Sequence, residues 1–147
     1  MDQLGTDPNG IGSRWEAVYR SELTSVDEAE AQVVALAEKY GFDEDDLHKI
    51  GIALREGMVN AVVHGNKYSA EKQVFLTVVR QEEGLSVIIR DQGAGFDLSQ
   101  VPDPLAQENL LRESGRGILL MQAFMDEFQV RRLSDGTEIT MVKYQAS

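Results

Sequence analysis

Two β-hairpin patterns, held apart by a long stretch with no strand in it, constrain this chain more than any other feature. The first pairs Gln73–Gln81 with Leu85–Asp91 across Glu82, Glu83 and Gly84. The second pairs Phe128–Leu133 with Thr137–Tyr144 around Asp135-Gly136, a dipeptide able to supply the positive φ angles of a tight turn. Between them, Gly93 to Gly117 carries Pro102, Pro104 and four glycines, where a compact domain ordinarily spends about 4 to 6 residues on a connection. Such length suggests a mobile lid or a binding loop. Ile118–Met125 follows it as a short apolar helix.

Ahead of the hairpins the period is helical. Ser25 with Glu28 makes a capping box for a helix running to about Tyr40, where Gly41 is a natural stop. A second helix starts after Asp43, because Glu44, Asp45 and Asp46 suit the positive end of a helix dipole. Leu47, Ile50, Leu54, Met58 and Ala61 then recur at helical spacing as far as His64 and Gly65. Upstream, Trp15–Leu23 in extended form puts Trp15, Ala17 and Tyr19 on one face. Residues 1–12, with Gly5, Pro8, Gly10 and Gly12, read as a flexible leader, and residues 13–147 as a single domain.

The whole chain has 147 residues, enough for one core that buries about 70% of the unfolded surface. Lys plus Arg number 14 against 25 Asp plus Glu, a net charge of −11, which repels a phosphate backbone and argues against nucleic acid as a direct partner. With no cysteine and only His48 and His64, neither a thiolate nor an imidazole-rich metal site is available. No apolar run approaches the roughly 18 residues of a membrane span. The N-terminus lacks the basic region and apolar core of a secretion signal, so a soluble cytoplasmic protein with no membrane partner is expected.

There is no GxxxxGKS/T phosphate loop, no HExxH and no GxSxG. Three polar groups remain. Glu56, Asn60 and His64 stand four apart on the second helix, so they share nearly one face and could line a cavity; an exposed polar face on an acidic helix has the same spacing. Asp91 closes an apolar strand and is followed by Gly93 and Gly95, which let backbone approach a ligand closely. A carboxylate there suits an exocyclic amine such as that of adenine, and an ordinary Asp-containing turn also fits. Gly115-Arg116-Gly117 puts backbone N–H groups at a helix start, where phosphate is the natural anion, although many loop-to-helix junctions look alike.

Taken in order, Glu56-x-x-x-Asn60-Ala61-x-x-His64-Gly65, Asp91-x-Gly93-x-Gly95-Phe96-Asp97 and Gly115-Arg116-Gly117-Ile118-x-Leu120-Met121 resemble the N, G1 and G2 boxes of the GHKL (histidine-kinase-like) ATPases. The resemblance covers about Trp15 to Tyr144. It is nearest to the bacterial anti-sigma-factor serine/threonine kinases. It implies a Bergerat-type ATP-binding fold, an α+β two-layer sandwich with a mixed, mainly antiparallel sheet and three helices on one face. It further implies that ATP and Mg²⁺ are the cofactors, that Asn60 binds the metal and that Glu56 is the catalytic base. Asp91 would receive the adenine amino group, Gly93 and Gly95 would pack against base and ribose, and Ser114, Gly115 and Gly117 would lie by the phosphates, with His64 at the end of the N box. Arg112 and Arg116 both qualify as the basic lid residue.

The same resemblance implies a protein partner of anti-anti-sigma type that carries the phosphorylated serine or threonine, a sigma factor as second partner, and a homodimer. An alternative is an ATP-binding regulatory module that sequesters its partner without phosphorylating it. A complete two-component histidine kinase is not expected, because neither His48 nor His64 sits in a phospho-acceptor helix pattern.

Overall fold

Residues 10–93 and 116–145 are described by this computed structural model and contain five strands and three α-helices. In chain order these are β1 (Arg14–Arg20), α1 (Leu23–Lys39), α2 (Glu44–Val59), β2 (Gln73–Arg80), β3 (Gly84–Arg90), α3 (Gly117–Phe124), β4 (Glu127–Leu133) and β5 (Gly136–Tyr144). A π-helical turn, Asn60–Gly65, continues α2. Gly95, Arg112, Ser114 and Gly115 of the expected site lie outside the described residues, as does most of the expected leader. No helix of the described residues is long and apolar enough to cross a membrane.

The strands form one sheet in the order β1-β2-β3-β5-β4. The expected two-layer α+β architecture is present, but among the described residues the sheet is not mixed: each of its four strand pairs is antiparallel. After α3 the chain lays down β4 at the edge, and the hairpin returns β5 into the place beside β3. Alternation decides which face is dry. Val74, Leu76 and Val78 of β2, Leu85, Val87 and Ile89 of β3, and Ile139 and Met141 of β5 are buried with Ile50, Leu54 and Met58 of α2 in one core.

Helix α2 lies between α1 and α3 and packs against both. Gly57 lets it come close to the sheet, because a Cβ there would stand 2.6 Å from Ile89 Cδ1. A glycine inside a helix costs about 0.5–1 kcal/mol relative to alanine, and close packing on β3 is what it supplies in return. Asp43 caps α2 as the sequence suggests, its side chain accepting from the Asp46 N–H at 2.9 Å.

Two further expectations need correction, and one open reading is decided. The capping box at Ser25 does not form: α1 begins at Leu23 after an extended Glu22 that makes no side-chain cap, and Ser25 is buried inside the first turn. Just before the helix, Ser21 donates to the Lys72 carbonyl at 2.7 Å and ties the junction of β1 and α1 to the segment preceding β2. The second hairpin turns on Ser134 and Asp135, with Gly136 already paired to Leu133. Glycine is required at 136 because a Cβ would meet the Asp91 carbonyl oxygen at 2.2 Å. His64 is exposed, whereas Glu56 and Asn60 are half-buried. The wider π turn, seen in the Asn66 N–H donating to the Ala61 carbonyl five residues back, carries His64 away from the stripe that a regular helix would continue.

Candidate functional site

Asp91 leaves the end of β3 with its side chain 3% exposed. Its Oδ1 accepts from the N–H groups of Gly93 and Thr137, each at 3.0 Å. Its own N–H donates to the Thr137 carbonyl at 3.0 Å. Residue 91 is thus stitched to the start of β5, and its carboxylate is held in one orientation. Oδ2 faces Gly65, where a Cβ would lie 2.1 Å away. Gly93 in turn touches the same glycine: a Cβ on it would fall 2.4 Å from the Gly65 carbonyl oxygen. The end of the π turn and the strand-end aspartate therefore meet through two glycines.

Burial pushes the Asp91 carboxyl above its ordinary pKa. The N–H groups of Gly93 and Thr137, then the charges of Arg132 and Lys72, pull the other way and offset only part of that shift. A carboxylate kept poor in water, with one oxygen committed to N–H donors, is suited to take a further N–H donor on the other.

A second junction joins α2 to α3. A Cβ on Gly117 would lie 3.1 Å from Glu56 Oε1, so the Glu56 carboxylate sits against the start of α3. That end of the helix has no side-chain cap, and its free N–H groups and dipole favour a negative neighbour. Arg116, the residue preceding α3, is exposed. Asn60 stands one turn beyond Glu56, at the change from α to π geometry, and its N–H is shared between the Glu56 and Gly57 carbonyls. π turns are enriched at functional sites.

Of the expected site residues, the structure brings Asp91 together with Gly93 and Gly65, and Glu56 together with Gly117, and it sets Asn60 on the rail between them. His64 points to solvent. Two participants went unnoticed in the sequence: Thr137, whose N–H holds Asp91, and Asn66, which is 1% exposed and bonded to three other segments. Asn66 follows the glycine that ends the helical pattern, which was the available signal.

Residues 19–143 match the histidine kinase-like ATPase domain family, and the chain belongs to that family. Membership implies a site that uses ATP. Among curated proteins, the chain is 36% identical over 103 residues to the anti-sigma F factors of Bacillus thuringiensis (strain Al Hakam) and Bacillus mycoides (strain KBAB4), covering 68% of this chain and 70% of each relative. Among solved structures, it resembles a Mycobacterium tuberculosis chain containing RsbU and RsbW domains, with a TM-score of 0.64 and 17% identity over 91% of this chain and 33% of that one. A histidine kinase domain from the Erythrobacter litoralis blue-light-activated kinase gives a TM-score of 0.54 at 22% identity, over 69% of this chain and 45% of that one. This chain therefore spans a third and under a half of those two longer chains, and both likenesses bear on the fold alone.

One consequence of the glycine junction is directly measurable. Gly65→Ala places a methyl group where Asp91 Oδ2 lies, so we expect it to displace the carboxylate and weaken ATP binding by about tenfold or more. Titration calorimetry with ATP checks this; an unchanged affinity would mean that the Gly65–Asp91 contact has no part in the site.

Proposed function

We propose that this chain is a cytoplasmic bacterial anti-sigma factor with serine/threonine protein kinase activity, which transfers a phosphoryl group from Mg-ATP to an anti-anti-sigma partner. The observation that carries the proposal is the paired junction just described: Asp91 locked beside Gly65 and Gly93 at one end, and Glu56 against Gly117 at the other, along a single helix that also bears Asn60. The anti-sigma F factors to which the chain is similar support the biological role.

The residues fit the cofactors. Asp91 Oδ2 offers an acceptor to the exocyclic amine of adenine. Among the described residues no group of three His, Asp or Glu side chains could hold a metal ion, so a protein cage is not what this part of the chain offers. A single amide oxygen from Asn60 suits magnesium, which keeps several waters and takes its other ligands from phosphates. When bound, Mg-ATP supplies the phosphoryl group and partial neutralisation of its charge. Glu56 would accept the proton of the attacking hydroxyl, and the N-terminus of α3 would add positive potential beside it. Gly95, Ser114, Gly115 and one of Arg112 or Arg116 complete the proposed nucleotide site, together with His64 at its margin. Sequestration of a sigma factor and a homodimeric state, measurable by light scattering, belong to the same proposal.

The deciding experiment incubates the purified chain with labelled ATP, magnesium and the protein encoded beside its gene. Label on a serine or threonine of that protein is the expected result. Tight ATP-dependent binding without label would instead favour sequestration without phosphorylation. In the same system Asn60→Ala should bring the ATP affinities measured with magnesium and with chelator together. Undiminished magnesium dependence would remove Asn60 from metal binding.

A further inference from the structure

Asn66 has no role in the proposal above, yet it is the most completely bonded buried side chain near the site. Its Nδ2 donates to Ser21 Oγ at 2.9 Å and to the Gln73 carbonyl at 3.0 Å, and its Oδ1 accepts from the Gln92 N–H at 2.7 Å. The partners fix the amide's orientation: Gln73 offers an acceptor and Gln92 a donor, so a flipped amide would oppose both. Ser21 is itself buried and donates to the Lys72 carbonyl, and the Gln92 side chain accepts from the Gln73 N–H at 2.8 Å. The network thus closes on the residues to either side of the Gly65–Asp91–Gly93 contact: position 66 follows Gly65, and Gln92 stands between Asp91 and Gly93.

We propose that Asn66 is the positioning residue that sets the base specificity of the nucleotide site, by clamping the end of the π turn to the Asp91–Gly93 turn and so fixing where Asp91 Oδ2 meets the purine. This rests on the proposed role of Asp91 and deepens it. Oδ1 is anchored by Gly93 and Thr137, but the direction of Oδ2 depends on the backbone on both sides of Asp91 and on the proximity of Gly65. Asn66 governs the Gln92 side and the Gly65 side at once. Loss of the clamp would cost contact with the 6-amino group while leaving contacts to ribose and phosphates in place.

The test compares two nucleotides on the full chain: ATP, and purine riboside triphosphate, which lacks the 6-amino group. Asn66→Ala should lower ATP affinity by about tenfold while purine riboside triphosphate stays within about twofold. Ser21→Ala, which removes one anchor of the Asn66 amide together with the bond from Ser21 to the Lys72 carbonyl, should shift the ratio in the same sense by about threefold. Equal losses for both nucleotides, or no change in either, would overturn the positioning role; if Asn66→Ala does not fold, Ser21→Ala alone decides by the same criterion. Asp91→Asn measured alongside separates the two levels. If it abolishes the preference for ATP while the network variants do not, only the role of Asn66 falls. If it leaves the preference intact, the assignment of Asp91 falls, and that of Asn66 with it.

Discussion

Glu56→Gln should leave ATP affinity within about twofold of the wild type and lower phosphoryl transfer to the protein partner by about 10²–10⁴-fold. Glutamine preserves the volume of the side chain and its place against Gly117 but cannot accept a proton from the attacking hydroxyl. The half-buried side chain stands beside the start of α3, so the substitution disturbs no core packing and the loss should fall on the chemical step rather than on folding. Single-turnover transfer with saturating labelled ATP measures that step, and calorimetry measures binding. Transfer within about threefold of the wild type would remove Glu56 from the role of base. The result also bears on the alternative in which ATP acts only as a conformational ligand: a chain of that kind shows no transfer to lose.

Most of the frame was legible because it is written in short-range patterns. The alternation of Val74, Leu76 and Val78 and the cap at Asp43 depend on neighbours within a few residues, and the structure places them as the patterns indicate; the first hairpin also forms, but it turns on Glu82 and Glu83, with Gly84 already the first residue of β3. What the sequence hid depends on distant partners. Gly57 reads locally as a flaw in a helix; Ile89, on the third strand, gives it its reason. Ser25 looks like a cap locally, yet the side chain that ties this junction to the rest of the fold is Ser21, which donates to the distant Lys72 carbonyl. Asn66 draws on Ser21, Gln73 and Gln92, which no window of fifteen residues contains together. Of the two readings that the spacing of His64 left open, the structure shows the exposed one, in a segment where the helical period widens. In the candidate site, Glu56, Asn60 and Asp91 could be singled out by residue type and spacing, whereas the two glycine contacts that bring helix ends and strand ends together could not.

Asp91→Asn should move stability and binding in opposite directions. Asparagine can keep Oδ1 in the bonds from Gly93 and Thr137, but it places an N–H₂ where Oδ2 stood, so that a donor faces the purine amine. Loss of a charge-assisted hydrogen bond of this kind costs about 1.5–3 kcal/mol, or about ten- to a hundredfold in affinity. Folding without nucleotide responds differently. Burial raises the Asp91 carboxyl pKa above its ordinary value despite the two N–H donors, so the fold binds the proton more tightly than the unfolded chain does. The stabilisation from that proton is full below the unfolded value and is lost as pH rises through the folded one. At neutral pH the ionised carboxylate therefore burdens the empty protein, and asparagine, which carries no charge, should relieve the burden and flatten that part of the pH profile. Thermal melts of the two proteins across the acidic to neutral range, with and without ATP, check both halves. The variant is expected to melt higher than the wild type when empty and to gain less from ATP. If the empty variant is instead destabilised about as much as its ATP affinity falls, Asp91 supports the sheet end and does not read the base. The buried charge would then have no function to explain its cost.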